Sequence, residues 1–121
     1  LAAAFLLAPG EAVATSGNYE RFVVIGGVRY AHLLDPRTGT PVTGTAGVTV
    51  TAPTAALADG LSTALFVLGP RDGAALLRRY PGCDALWIPD TPGHLTLLAT
   101  PGLAARLKPF AGTSYTLLVQ H

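Results

Sequence analysis

Thr54-Ala55-Ala56-Leu57-Ala58-Asp59-Gly60-Leu61-Ser62-Thr63-Ala64-Leu65-Phe66-Val67-Leu68-Gly69 is written at helical period. Leu57, Leu61, Ala64, Leu65 and Leu68 recur every three or four residues, so one stripe of the helix is apolar and must face a core. Thr54 stands where a hydroxyl can accept an amide of the first turn, and Gly69 stands just past the end, where a left-handed residue closes a helix. Pro70 can open a second helix, predicted over 70–80, with Leu76 and Leu77 inward and Arg78 and Arg79 near its end, where cations suit the dipole. Pro81-Gly82 stops it.

Upstream of this pair the period changes to two. Residues 19–25 and 28–34 are aromatic and β-branched runs separated by Gly26-Gly27, a spacing that predicts a hairpin with a tight turn. Asp35-Pro36-Arg37-Thr38-Gly39 reads as a further turn, because Asp bonds the backbone ahead of it, Pro pre-sets φ and Gly permits a left-handed exit. Residues 47–51 alternate as a strand, and Thr15-Ser16-Gly17-Asn18-Tyr19 is expected to be a polar turn. Downstream, 85–88 and 95–99 form a predicted hairpin around Asp90-Thr91-Pro92-Gly93, followed by a short helix over 101–107 and a last strand over 115–119. Strands, two helices, then strands again predict an α+β fold, a largely antiparallel sheet with two central helices.

Composition narrows the function classes. The 121 residues are 50% hydrophobic and 12% charged, ample for one core. The net charge is +1, eight basic residues against seven acidic, and the basic residues are scattered along the chain, which provides no footprint for nucleic acid. Cys83 is alone, so neither an internal disulfide nor a thiolate cluster can form within the chain, and it reads as a small packed residue. An apolar run over 1–8 followed by Ala12-Val13-Ala14 imitates a cleaved leader, but no basic segment precedes it and Glu11 interrupts it. The preferred expectation is a piece of a longer protein, entered part way through a helix or strand. No run approaches the roughly 18 apolar residues of a membrane span, so any anchor or export signal is expected upstream.

Few polar groups remain to carry chemistry. Asp59 and Thr63 are four apart on the predicted helix and project from one face, so a carboxylate and a hydroxyl can meet the same hard cation. They also have a structural reading: a negative charge near a helix start is favoured by the dipole, and a threonine can bond back to a carbonyl. His32 precedes the Asp35 turn, where an imidazole can serve as acid, base or phosphate contact, although most strand histidines do none of these. Successive amides around Ser16 and Gly17 can cradle an anion, whereas a short Ser-Gly-Asn turn usually only reverses the chain. His94 and His121 have no comparable surroundings and are left unassigned.

Taken together and in this order, the Thr15-Ser16-Gly17-x-Tyr19 segment, His32-x-x-Asp35-Pro36-x-Thr38-Gly39-x-Pro41, the Val48-Thr49-Val50 strand and Ala58-Asp59-x-x-x-Thr63 followed by Gly69 resemble the ApbE family of flavin transferases. The resemblance runs from Glu11 to Ile88; nothing after Thr100 matches a motif. It implies a Mg²⁺-dependent enzyme that splits the pyrophosphate of FAD, places FMN on a threonine or serine hydroxyl of an acceptor flavoprotein and releases AMP. It implies Asp59 and Thr63 as metal ligands and His32 as the group that activates the acceptor hydroxyl or steadies the phosphates. It further implies that Asp35 and Thr38 shape the nucleotide-side loop, with Ser16 and Gly17 near the flavin nucleotide. Some members hydrolyse FAD to FMN and AMP instead. The same residues are also compatible with a non-catalytic FAD-binding protein and with an inert packing domain. Proteins of this family are much longer, so residues 1–121 are expected to be the C-terminal portion of such a domain, weakly active or inactive without an upstream half that carries a further metal ligand. A bacterial envelope location, with membrane association only through an upstream anchor, is also what the resemblance implies.

Overall fold

In the computed structural model, residues 3–17, 22–31, 34–91, 93–109 and 115–121 are described. In chain order the elements are β1 (Ala3–Ala4), β2 (Ala12–Gly17), β3 (Phe22–Ile25), β4 (Val28–Ala31), β5 (Leu34–Asp35), β6 (Thr40–Pro41), β7 (Thr45–Ala52) and α1 (Ala55–Leu77). They are followed by β8 (Asp84–Pro89), β9 (Thr96–Ala99), α2 (Pro101–Ala104), β10 (Lys108–Pro109) and β11 (Thr116–Val119).

The main sheet has the order β11-β9-β8-β7-β2. β7 is its axis, antiparallel to β2 on one side, from Ala12↔Ala52 to Gly17↔Gly47, and to β8 on the other. β9 is antiparallel to β8, while β11 runs parallel to β9, the one parallel pairing among the described strands of this sheet. The expected α+β fold with a largely antiparallel sheet is what the chain adopts.

Strand alternation divides the apolar side chains between two faces. On the face under α1, Val48, Val50, Ala85 and Trp87 meet Leu61, Leu65, Phe66, Ala74 and Leu77 in one buried cluster. On the other, Leu86, Leu97 and Ala99 pack with Leu103 of α2, and Phe5 and Tyr115 close over them. Trp87 is wholly buried, and its indole Nε1 donates to the Leu65 carbonyl at 3.2 Å. Gly73 lies flat against the same ring: a Cβ there would stand 2.7 Å from Trp87 Cζ2, so only glycine allows the approach.

α1 begins as its sequence requires, the Thr54 hydroxyl accepting the Leu57 amide at 3.2 Å. At Gly69 the backbone leaves the helical region, with φ 82° and ψ 175°, and Pro70 restarts it. The two predicted helices are therefore halves of one bent element. The second half is shorter than expected, ending at Leu77 with Arg78 as its cap. The final helix is also shorter, Pro101–Ala104 in place of 101–107.

Two expectations need adjusting. Thr15, Ser16 and Gly17 do not form a turn; they are the last half of strand β2. Ala12, Ala14 and Ser16 alternate toward α1 while Val13 and Thr15 face outward, and pairing with β7 supplies the backbone bonds that their weak strand propensity does not predict. The Gly26-Gly27 hairpin is present as expected, both glycines at positive φ (60° and 81°), with Phe22–Ile25 paired to Val28–Ala31; residues 19–21 and 32–33 of the expected strands lie outside the described residues. Leu34 belongs instead to a separate two-residue ladder, Leu34↔Pro41 and Asp35↔Thr40. Among the described residues no helix is long and apolar enough to cross a membrane.

The first residues are tied down by charge. Arg106 donates to both Glu11 oxygens, at 3.0 and 2.7 Å, and to the Leu6 carbonyl, while its guanidinium lies 5.3 Å from the Phe5 ring centre. The Arg106 hydrogen bonds, then the Ala8 amide, hold the Glu11 carboxyl below its ordinary 4.5. A depressed carboxyl stabilises the fold above its unfolded value and loses that contribution as pH falls through the folded one. Below about pH 4.5, residues 3–11 are expected to lose protection from hydrogen exchange before the sheet does. Glu11→Gln should reproduce that loss at neutral pH; equal protection at both pH values would contradict it.

Candidate active site

Asp59 is the fifth residue of α1, beyond the first turn within which the helix dipole acts. Its placement is thus not explained as dipole compensation. One turn later, Thr63 occupies the same stripe, and both residues are exposed. Among the described residues the Asp59 carboxylate has neither a hydrogen-bond nor an ion-pair partner.

The backbone beneath this pair is held by hydroxyls. Ser62 Oγ donates to the Asp59 carbonyl at 2.9 Å, and Thr63 Oγ1 donates to the same oxygen at 3.4 Å. The Thr63 back-bond expected of a purely structural threonine is therefore present. It commits the proton and leaves Oγ1 only its acceptor role, the one in which a hydroxyl coordinates a cation. Ser62 is fully buried, and with its proton committed to Asp59 it accepts from Ser16 Oγ at 2.9 Å. A relay from Ser16 through Ser62 to the Asp59 carbonyl thus fastens β2 to the turn of α1 that carries both candidate ligands. Sequence reasoning alone misses Ser62. The one signal for it is a serine on the inward side of an apolar stripe, a position that demands a partner.

The Asp35 turn is built around its own carboxylate. The Thr38 and Gly39 amides donate to the Asp35 carbonyl at 3.2 and 2.7 Å, and Gly39 takes φ 70°. The Arg37 amide donates to Asp35 Oδ1 at 2.9 Å, and the Arg37 guanidinium straddles the carboxylate, Nε to Oδ1 at 3.0 Å and Nη2 to Oδ2 at 2.8 Å. These side-chain hydrogen bonds hold the Asp35 carboxyl below its ordinary value and raise the Arg37 guanidinium above its own. Asp35 therefore organises the loop rather than presenting a free anion. Thr38 and Thr40 share a hydroxyl bond of 2.7 Å beside it.

Between this turn and the end of the first half of α1 lies a cleft of about 320 Å³, walled by Thr38, Thr40, Thr43 and Thr45 on one side and by Phe66 to Gly69 on the other. Val67 is four residues beyond Thr63, hence about 6 Å further along the same stripe. The turn thus meets the C-terminal end of the same helix half that carries Asp59 and Thr63. Ser16 reaches Ser62 and Gly17 ends β2 opposite Gly47. His32 lies outside the described residues, three positions before Asp35 in the chain.

No group of three or more His, Cys, Asp or Glu capable of holding a metal occurs among the described residues. A cation at Asp59 and Thr63 would have one carboxylate and one hydroxyl from here and would take its remaining oxygens from water, phosphate or other backbone. Such a sparse, hard set suits Mg²⁺, which retains waters and binds with one or two carboxylates.

Comparison with known proteins shows the family and the fold. The profile of the ApbE family matches residues 2–87. The FAD:protein FMN transferase of Rhodobacter capsulatus is 41% identical over 106 residues, 88% of this chain and 20% of its own, and that of Treponema pallidum is 53% identical over 77 residues, 63% of this chain and 21% of its own. Among solved structures, the apo form of the Pseudomonas stutzeri flavinyl transferase ApbE superimposes with a TM-score of 0.65 at 39% identity, covering 80% of this chain and 31% of that one. An ApbE protein from Thermotoga maritima gives 0.57 at 46% identity, covering 64% and 26%. The chain thus spans about a fifth of the length of these curated relatives.

Proposed function

Since this chain belongs to the ApbE family, we propose that it is the C-terminal portion of a flavin transferase domain whose full-length protein moves FMN from FAD to a hydroxyl of an acceptor flavoprotein. The single observation that carries this reading is the pairing of an unengaged Asp59 carboxylate with a Thr63 hydroxyl whose proton is already committed, side by side on an exposed helix face. The family similarity then supplies the substrate: relatives over this region are named FAD:protein FMN transferases.

In this reading Asp59 and Thr63 hold Mg²⁺, which when bound supplies charge neutralisation along the pyrophosphate. The Asp35–Thr38 turn orients the dinucleotide across the threonine-walled cleft, with the end of β2, at Ser16 and Gly17, near its flavin half. His32 takes the proton of the acceptor's threonine or serine hydroxyl. That oxygen forms a bond to the FMN phosphorus, the bond from this phosphorus to the bridging oxygen breaks, and AMP departs with that oxygen. Little covalent help is needed, because phosphoryl transfer rests on positioning and charge.

The test incubates the full-length protein with FAD, Mg²⁺ and a candidate acceptor. The expected outcome is a covalent fluorescent flavin on the acceptor with stoichiometric AMP. AMP formed without any adduct would reassign the protein as an FAD pyrophosphatase. FAD binding without AMP, unaltered by Asp59→Ala, would mark a non-catalytic flavin-binding protein and defeat the proposal.

A further inference from the structure

The first half of α1 ends at the non-helical Gly69, and Pro70 has no N–H to offer the Phe66 carbonyl. A cation is favoured at such an end. The cation comes from elsewhere in the sequence. Arg37 Nη2, already bonded to Asp35, reaches the Val67 carbonyl at 3.5 Å, and Arg37 Nη1 faces Asp72, in the second half of α1, at 3.9 Å. One guanidinium thereby touches the Asp35 turn and both halves of the helix.

We propose that Arg37 is a positioning residue, a strut that fixes the Asp35–Thr38 turn against the C-terminal end of the helix half that carries Asp59 and Thr63 and so sets the width of the threonine-walled cleft between turn and helix. A fork is needed for this. Two nitrogens, Nε and Nη2, are spent on the Asp35 carboxylate, and Nη2 with Nη1 reaches the helix. A lysine ammonium is a point charge on a flexible stem and cannot hold both sides in one plane. Arg37 is itself about half exposed, so its contribution to global stability is small and its effect is expected in geometry.

The kinetic arm of the test rests on the flavin-transfer reading; the structural arm does not. In the full-length protein, Arg37→Gln and Arg37→Lys are each expected to raise KM for FAD about tenfold. Mn²⁺ affinity measured without FAD should stay within about twofold and Tm within a few degrees, since no ligand of the metal is altered. Arg37→Gln added to Asp35→Asn should raise KM no further than Asp35→Asn alone, because the strut is already cut. In both Arg37 variants, backbone hydrogen exchange should rise together over residues 35–41 and 64–69. An unchanged KM, additive losses in the double variant, or a lysine that restores KM would overturn the proposal. Should the unaltered protein transfer no flavin, the functional reading fails, and the strut stands or falls on the coupled exchange alone.

Discussion

Asp59→Ala is expected to abolish FAD cleavage and flavin transfer together, by about a hundredfold or more, while Tm stays near that of the unaltered protein. Asp59 is exposed and bonds to no described side chain, so truncating it creates neither a cavity nor an orphaned partner. Its carbonyl, the part that the Ser62 and Thr63 hydroxyls use, survives the substitution. What disappears is the negative charge offered to a cation. Metal charge stabilisation in phosphoryl transfer amounts to several kcal/mol, and each 1.4 kcal/mol or so is a factor of ten in rate. Asp59→Asn, which keeps the shape and loses the charge, should be almost as inactive, and raising Mg²⁺ should recover part of the rate in either variant. Parallel assays of AMP and of protein-bound flavin across a Mg²⁺ titration check this. Unchanged turnover at low Mg²⁺ would remove Asp59 from the site.

Trp87→Ala should remove a large share of the chain's stability and lower its denaturation midpoint well below that of the parent. The ring is wholly buried between Leu65 of the first half of α1 and Gly73 of the second, and Gly73 exists in that place because nothing larger fits beside it. Truncating a buried tryptophan costs about 3–5 kcal/mol, against a total stability of roughly 5–15 kcal/mol for a domain. The indole N–H bond to Leu65 would be lost as well. Trp87→Phe apportions the two losses: it keeps most of the ring and removes the indole N–H bond to the Leu65 carbonyl, at about 0.5–1.5 kcal/mol. Denaturant melts followed by circular dichroism give both numbers. A Trp87→Ala midpoint within experimental error of the parent would show that the two halves of α1 hold together without the ring.

The parts of this architecture that could be read from residues alone are those whose ends and interior agree. Thr54 and Gly69 bracket a leucine stripe, so the first half of α1 is legible to the residue, and Pro70 after Gly69 foretells the bend. Gly26-Gly27 marks its hairpin for the same reason. β2 is not legible because Ala12, Ala14 and Ser16 are small and weakly strand-forming; their extended state comes from pairing with β7 and from the need for low side chains under a helix. The parallel seat of β11 beside β9 is likewise a tertiary choice that no local pattern encodes. At the candidate site, the Asp59 and Thr63 spacing is visible in the sequence, while Ser62 and Arg37 are not: a serine in an apolar stripe looks like filler, and a loop arginine looks solvated until its partners are known.

The small residues of β2 carry one more implication. Because Ala12, Ala14 and Ser16 are all that separates the helix from that edge of the sheet, interlayer distance at the ligand-bearing end is governed by side chains with almost no volume. That end of the sheet is therefore sensitive to residues that touch no substrate: a single added methylene in this floor overpacks the layer, at about 1–3 kcal/mol, and strains the Ser16–Ser62 bond that fastens β2 to the turn carrying Asp59 and Thr63.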